Sequence, residues 1–189
     1  SGRQKGAEST MSNVNFAGKF DFYGIRGLRL GLSGYHGKTQ AVDGQNEIPG
    51  SQVGLSMLGL DGRYTLKKFS ARGQYAIASL SDTDLYNELT GRDLGSKLMG
   101  YYLEAAYNVL PFINKQRLVG FVRYENYNTH HAVGEFISKN EAFHRKEWTL
   151  GFSYHIAPGA VYKMDYQTKS TAIANTTKGQ FNMGVGIWF

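Results

Sequence analysis

The chain has 189 residues, with 24 Gly, 13 Tyr, 11 Phe and no Cys, and its formal net charge is +6. No segment approaches the run of about 20 apolar residues that a membrane-spanning helix needs, which excludes a helical membrane protein. The basic residues are scattered along the chain rather than clustered. This distribution argues against a nucleic-acid-binding surface, so no nucleic acid is expected among the partners.

From the N-terminal region onward, apolar and polar residues alternate along successive segments, with the period of a β-strand that has two different faces. Residues 28–33, for example, read Leu-Arg-Leu-Gly-Leu-Ser. About nine such segments occur, each close to the ~9–11 residues with which a tilted strand crosses a bilayer. In chain order, their apolar positions are Val14, Phe16, Phe20 and Phe22; Leu28, Leu30 and Leu32; Leu58, Leu60 and Tyr64; Phe69, Ala71, Tyr75 and Ile77; Met99, Tyr101, Leu103, Ala105, Tyr107 and Val109; Leu118, Val122 and Tyr124; Trp148, Leu150, Phe152, Tyr154 and Ile156; Ala160, Tyr162, Met164 and Tyr166; and Phe181, Met183, Val185, Ile187 and Phe189.

Short and long connections alternate between these segments. Short turns are expected at 24–27, around 66–67, at 111–116 and at 158–159, and longer polar loops at 41–51, 80–96, 129–145 and about 171–177. Outer-membrane barrels have this asymmetry, with short periplasmic turns and longer extracellular loops. The pattern therefore predicts an all-β, antiparallel transmembrane β-barrel.

Aromatic residues of the apolar face collect near the short-turn ends of the strands. A girdle at the membrane interface would place them there, because the rings are apolar while a tyrosine hydroxyl stays hydrated. The alternative is the tyrosine-rich core of a soluble sandwich. The residues concerned are Phe22, Tyr64, Phe69, Tyr107, Tyr162 and Phe189.

The last segment carries the clearest signal, because its alternation runs to the final residue. It resembles the terminal strand of bacterial outer-membrane barrels, which the barrel assembly machinery recognises. The resemblance implies that machinery and outer-membrane lipid as partners, and the outer membrane of a Gram-negative bacterium as the location. The expected assembly signal is Phe181, Met183, Val185, Ile187 and Phe189.

Several phrases resemble the phosphate-selective porin O/P-like family. They are FYGIRGLRLG at 22–31, GKTQ at 37–40, GYYLEAAYNVL at 100–110, FVRYE at 121–125 and KMDYQ at 163–167. The resemblance implies a barrel of about 16 strands, usually assembled as a trimer of pores, to which this chain would contribute roughly the second half. It also implies that an inward-folded loop upstream of these residues governs anion selectivity.

The odd number of segments has a consequence for domain organisation. If the last strand ends in the periplasm, the first one runs from outside to inside, whereas bacterial single-chain barrels have an even number of strands. We therefore expect at least one strand upstream. Residues 1–189 would be the C-terminal part of one barrel domain, and 1–10 the tail of an extracellular loop. A miscounted strand is the alternative explanation.

Charged residues fall on the polar face, where cations outnumber anions. Such an excess in a pore raises the local anion concentration. The alternative is that the charges pair across neighbouring strands and only stiffen the wall, as Asp61 near Arg63 and Glu125 near Arg123 suggest. The pore-lining candidates are Arg29, Arg63, Lys68, Arg72, Arg123 and Lys163.

Two functions follow from this sequence. The first is an outer-membrane porin that lets small hydrophilic solutes, with a preference for anions, diffuse passively. The second is a non-conducting barrel that acts as a structural, adhesive or complex-forming subunit. No enzyme, cofactor or metal site is expected. The Gly-Lys-Thr at 37–39 lacks the glycine and the strand-to-helix setting of a phosphate-binding loop, and His130, His131 and His144 lack a fourth ligand at convincing spacing.

Overall fold

A computed structural model describes residues 13–43, 46–110, 116–173 and 177–188 of the chain. It confirms the predicted all-β antiparallel architecture with nine strands in one sheet, each paired with the strands before and after it in the chain. The strands are β1 Phe16–Ile25, β2 Leu28–Asp43, β3 Asn46–Leu66, β4 Phe69–Ser81, β5 Lys97–Asn108, β6 Arg117–Ala132, β7 His144–Ala157, β8 Ala160–Thr171 and β9 Lys178–Ile187. A helix, α1 (Thr83–Thr90), follows β4, and a 3-10 turn at Glu141–Phe143 precedes β7.

The strand register places apolar residues beside one another on one face of the sheet and polar residues beside one another on the other face, as the alternation predicts. Directly paired residues in an antiparallel sheet point to the same side. One row of paired positions on the apolar face runs Phe22, Leu30, Gly62, Gly73, Leu103, Tyr124 and Trp148. The adjacent row on the polar face runs Arg29, Arg63, Arg72, Glu104, Arg123, Thr149, Gln167 and Gln180.

Burial across the sheet is the reverse of that in a water-soluble protein. On the apolar face, Leu103 is 62% exposed, Leu150 66% and Val185 72%. On the polar face, Glu147 and Thr149 are buried. The only buried hydrophobic residues in the described part of the chain are Val53 and Val161. The nine strands therefore enclose their polar side and present their apolar side outward.

The connections are shorter or more ordered than the sequence predicts. The expected loop at 41–51 is largely the extended β2–β3 hairpin, whose strands pair as far as Asp43 and Asn46. The expected loop at 80–96 contains α1, and the one at 129–145 contains the end of β6 and the 3-10 turn. The short turns after β1, β3 and β7 are confirmed at 26–27, 67–68 and 158–159. The predicted turn at 111–116 lies outside the described residues except for residue 116, and so do residues 174–176 of the predicted loop at 171–177.

Within the described residues, the sheet is open: β1 and β9 are its two edges and do not pair with each other. In the same part of the chain, no helix is long and apolar enough to cross a membrane.

Candidate functional site

A single cleft of about 660 Å³ lies on the polar face and spans six strands, with lining residues from β3 to β8. Strands at both ends of this range can line one cleft because the sheet curls around its polar side. Four of the six pore-lining candidates meet here, namely Arg63, Arg72, Arg123 and Lys163. Arg29 lines the neighbouring depression together with Lys19, Asp61 and Arg63.

The sixth candidate, Lys68, does not line the cleft. It lies in the turn immediately before β4, and its carbonyl oxygen accepts a hydrogen bond from the Asn108 amide of β5 at 2.9 Å.

Three arginines stand directly opposite one another on β2, β3 and β4, since Arg29 pairs with Arg63 and Arg63 with Arg72. Like charges at such positions repel and destabilise a sheet. The arrangement is stable only if carboxylates in neighbouring positions compensate for part of the charge.

The first compensating group is a cluster on β1, β2 and β3. Lys19 Nζ lies 2.8 Å from Asp61 Oδ1, and Arg29 Nε lies 3.1 Å from Asp21 Oδ1. Gly31 separates the two carboxylates, and a Cβ there would come within 2.5 Å of Asp61 Oδ1 and 2.9 Å of Asp21 Oδ1. Glycine at this position therefore makes room for the cluster.

The second group lies on β4, β5 and β6. Arg72 donates two hydrogen bonds of 2.8 Å to the two carboxylate oxygens of Glu104, a bidentate pair. Arg123 Nη2 lies 2.8 Å from Glu125 Oε1, and its guanidinium stacks 4.2 Å above the centre of the Tyr102 ring. The predicted pairing of Arg123 with Glu125 is confirmed.

Arg63 and Lys163 differ from these cations, because neither has a carboxylate within 4.0 Å in the part of the chain that is described. The expected pairing of Asp61 with Arg63 is wrong. Asp61 instead contacts Lys19 and Arg29, whose side chains approach it from β1 and β2. Arg63 is therefore an exposed cation on the polar face, between two paired arginines.

The polar face contains a further acidic residue that was not predicted. Glu147 is buried on β7, where it accepts hydrogen bonds from the Tyr127 hydroxyl at 2.9 Å and from Gln167 Nε2 at 2.7 Å. The alternation indicates its position, because it precedes the outward Trp148 by one residue. Glu147 reduces the cationic excess of the polar face without abolishing it.

The bidentate pair gives a test of the site's geometry. Arg72→Lys is expected to lower the free energy of unfolding by about 0.5–1 kcal/mol, because lysine cannot reproduce two parallel hydrogen bonds and the pair is partly screened by solvent. Arg63→Lys serves as the matched control and should leave stability unchanged. Urea unfolding of both variants, in the same detergent or lipid, would measure the difference. Equal losses of unfolding free energy in the two variants would show that the bidentate Arg72–Glu104 pair contributes nothing to stability.

The residues expected to form an assembly signal lie on the apolar side of β9, an edge strand of the described sheet. Phe181, Met183 and Val185 pair with Tyr166, Met164 and Tyr162 of β8. On β9, the exposed apolar side chains are those of Phe181, Met183, Val185 and Ile187. Phe189 lies outside the described residues.

The predicted aromatic group lies where the alternation puts it. Phe69 is the first residue of β4 and pairs with Tyr107, the second last of β5. Phe22, Tyr64 and Tyr162 also lie near strand ends joined by short turns. All five share the apolar face with residues such as Leu103. The sixth, Phe189, is not among the described residues.

The chain is similar in sequence to a longer protein. No family model matches the chain. It is similar to an uncharacterized protein of Aquifex aeolicus (strain VF5), with 27% identity over 169 residues. The match covers 87% of this chain and 39% of the Aquifex protein, so the chain spans about two fifths of that relative's length.

Proposed function

We propose that this chain supplies nine strands of a bacterial outer-membrane β-barrel pore, similar to the phosphate-selective porin O/P-like family, through which small hydrophilic solutes diffuse with a preference for anions. The observation that carries the proposal is the inverted sheet, with a polar, half-enclosed face and an exposed apolar face. Outer-membrane barrels have this arrangement, because one face meets lipid and the other meets water.

The size of the exposed apolar surface supports a lipid environment. Soluble monomers seldom expose contiguous apolar patches larger than a few hundred Å². Here exposed apolar side chains occur on every strand from β1 to β9, including Phe20, Leu60, Leu103, Leu150 and Val185. Outer-membrane lipid would cover this surface, and the turn-end aromatics would lie at its interface.

The open edges support a larger closed barrel. In lipid, the unpaired backbone groups of an edge strand cost several kcal/mol each, so sheets that span a membrane close on themselves. β1 and β9 would therefore pair with further strands, to a total of about 16 if the family resemblance holds. The Aquifex relative is long enough for such additional strands, since the match covers only 39% of it. The same resemblance suggests a trimer, and β9 would be the strand that the barrel assembly machinery recognises.

The charges of the polar face support a preference for anions. Arg29, Arg72 and Arg123 are paired with carboxylates, whereas Arg63 and Lys163 lack an ion-pair partner in the described part of the chain. Unpaired cations in a water-filled cleft raise the local concentration of anions and disfavour cations. Because only two of these five cations are unpaired, the preference should be mild.

The same ion pairs favour a second candidate, a non-conducting barrel that acts as a structural, adhesive or complex-forming subunit. Paired charges across strands stiffen a sheet whether or not solutes pass along it. Lys19–Asp61 and Arg29–Asp21 link β1, β2 and β3 in this way, and Arg72–Glu104 links β4 with β5.

Reconstitution of the full-length protein in planar bilayers separates the two candidates. For a porin we expect stepwise conductance without any cofactor, and a reversal potential in a KCl gradient that indicates mild anion preference. The preference should shrink between 0.1 M and 1 M salt, because the screening length falls from about 10 Å to about 3 Å. Protein that inserts in a protease-resistant form and never conducts would support the structural subunit instead.

A further inference from the structure

The helix α1 lies at the end of the sheet that carries the long connections. It packs against β3, where β3 extends beyond the last residue of β4 with which it pairs, Ser81 opposite Gly54. In this part of β3, Val53 is 1% exposed, and among the described elements α1 is the one that packs extensively on β3 without being a strand of the sheet. Val53 lies an even number of positions before Asp61 and Arg63, and no register shift falls between them. Its side chain therefore lies on the same face of β3 as theirs. The helix therefore covers the same face as the cleft.

Hydrogen bonds inside the connection hold α1 in a fixed shape. The side-chain amide of Asn87 donates to the Leu94 carbonyl oxygen at 3.0 Å, and its oxygen accepts from the Leu94 amide at 2.8 Å. The helix ends at Gly91, whose φ of 64° is a left-handed conformation suited to glycine. At Gly50 of β3, a Cβ would lie 3.3 Å from Leu89 Cδ1, so helix and strand approach closely there.

A second connection holds the first one in place. His130, at the end of β6, is 2% exposed and stacks on Phe143 with ring centres 4.4 Å apart. Its Nε2–H donates to the Asp93 carbonyl oxygen at 2.7 Å, and its Nδ1 accepts from the Asn140 amide. His130 is thus a structural link between the β4–β5 and β6–β7 connections.

One side of α1 is buried and the other is open to solvent. Thr83 and Asn87 are buried, whereas Leu85 and Glu88 are exposed. A helix with its side chains is about 10 Å across. In a closed barrel, an element of this width on the inner wall occupies a large part of the opening.

We propose that α1 is a fixed constriction at the loop end of the pore, and that it limits the size of the solutes that enter. The proposal rests on the proposed function, since a constriction needs a pore. It places a size-limiting element on this chain, whereas the family resemblance places the selective loop upstream.

The position of α1 can be tested without measuring transport, because the chain contains no cysteine. Val53→Cys introduces a single thiol beneath the helix. In outer-membrane vesicles, a water-soluble maleimide should label this thiol slowly in the otherwise intact protein. It should label the thiol at least about tenfold faster when residues 82–94 are replaced by a short Gly-Ser turn, because a buried thiol reacts only when the structure opens. Equal labelling rates would overturn the proposal.

The constriction itself is tested by single-channel conductance of the same two proteins. Removal of α1 should raise conductance roughly twofold and admit larger uncharged polymers, because an obstacle about 10 Å wide is gone. A bulky thiol reagent on Leu85→Cys, an exposed position of α1, should lower conductance. On Ile173→Cys, an exposed position of the β8–β9 connection, the reagent should have little effect.

The outcomes distinguish the two proposals. If both proteins conduct equally while Val53→Cys becomes accessible on removal of α1, the pore stands and the constriction is overturned. If neither protein conducts although both insert, the pore is overturned and the constriction with it.

Discussion

Leu103→Lys is expected to destabilise the membrane-inserted protein by about 2–4 kcal/mol, the cost of a lysine on the lipid face near the middle of a barrel strand. Leu103 lies in the middle of β5, is 62% exposed and shares the apolar face with Leu30 and Tyr124. In water, an exposed leucine replaced by lysine would change stability by no more than about 0.5 kcal/mol. The size of the effect therefore reports whether lipid covers this face.

Gln74→Lys is the matched control, because Gln74 lies at nearly the same level on the opposite face. It is exposed and pairs with Asp61 and with Tyr102, the neighbour of Leu103. A lysine opposite an aspartate is tolerated or weakly stabilising. Urea unfolding in lipid vesicles, followed by the heat-dependent mobility shift of folded barrels, would compare the two variants. Equal stability of both would contradict a lipid-facing apolar surface.

The strands and their two faces could be predicted from the sequence, because period-two alternation is a local signal. Within β2, one face is already defined by Leu28, Leu30 and Leu32. The register then places Leu58 and Leu60 of β3 on the same face of the sheet. The strand ends were less predictable. Residues 41–51 are polar and contain glycine and proline, which resembles a loop, yet β2 continues to Asp43 and β3 begins at Asn46, and these two residues pair.

The helix α1 has a weak sequence signal for a physical reason. It is only eight residues long, and its side chains are mostly polar. Isolated helices of this length are marginal in water, so packing on β3 and the Asn87–Leu94 hydrogen bonds stabilise it rather than its intrinsic propensity. Such contacts between distant residues are not visible in the local pattern.

The site was predictable as a set of residues and not as a set of contacts. Alternation put Arg29, Arg63 and Arg72 on one face, but only the register places them opposite one another. It also decides that Asp61 contacts Lys19 and Arg29. The positions of the side chains then show that Arg63 and Lys163 lack a carboxylate partner in the described part of the chain.

Arg63→Glu is expected to lower the anion-to-cation permeability ratio of the pore by roughly threefold, because it replaces an unpaired cation in the cleft by an anion. The measurement is the reversal potential in a KCl gradient at 0.1 M, where surface charges act over about 10 Å. At 1 M salt the difference from the unmodified protein should nearly vanish, because screening shortens that distance to about 3 Å.

The double variant Arg72→Ala with Glu104→Ala is the control for this experiment. It removes a bidentate pair on the neighbouring strands, and thus one positive and one negative charge from the same cleft. The reversal potential should stay unchanged, and conductance should rise slightly because two side chains are shortened. If the double variant shifts the reversal potential more than Arg63→Glu does, unpaired charge on the polar face does not govern which ions pass.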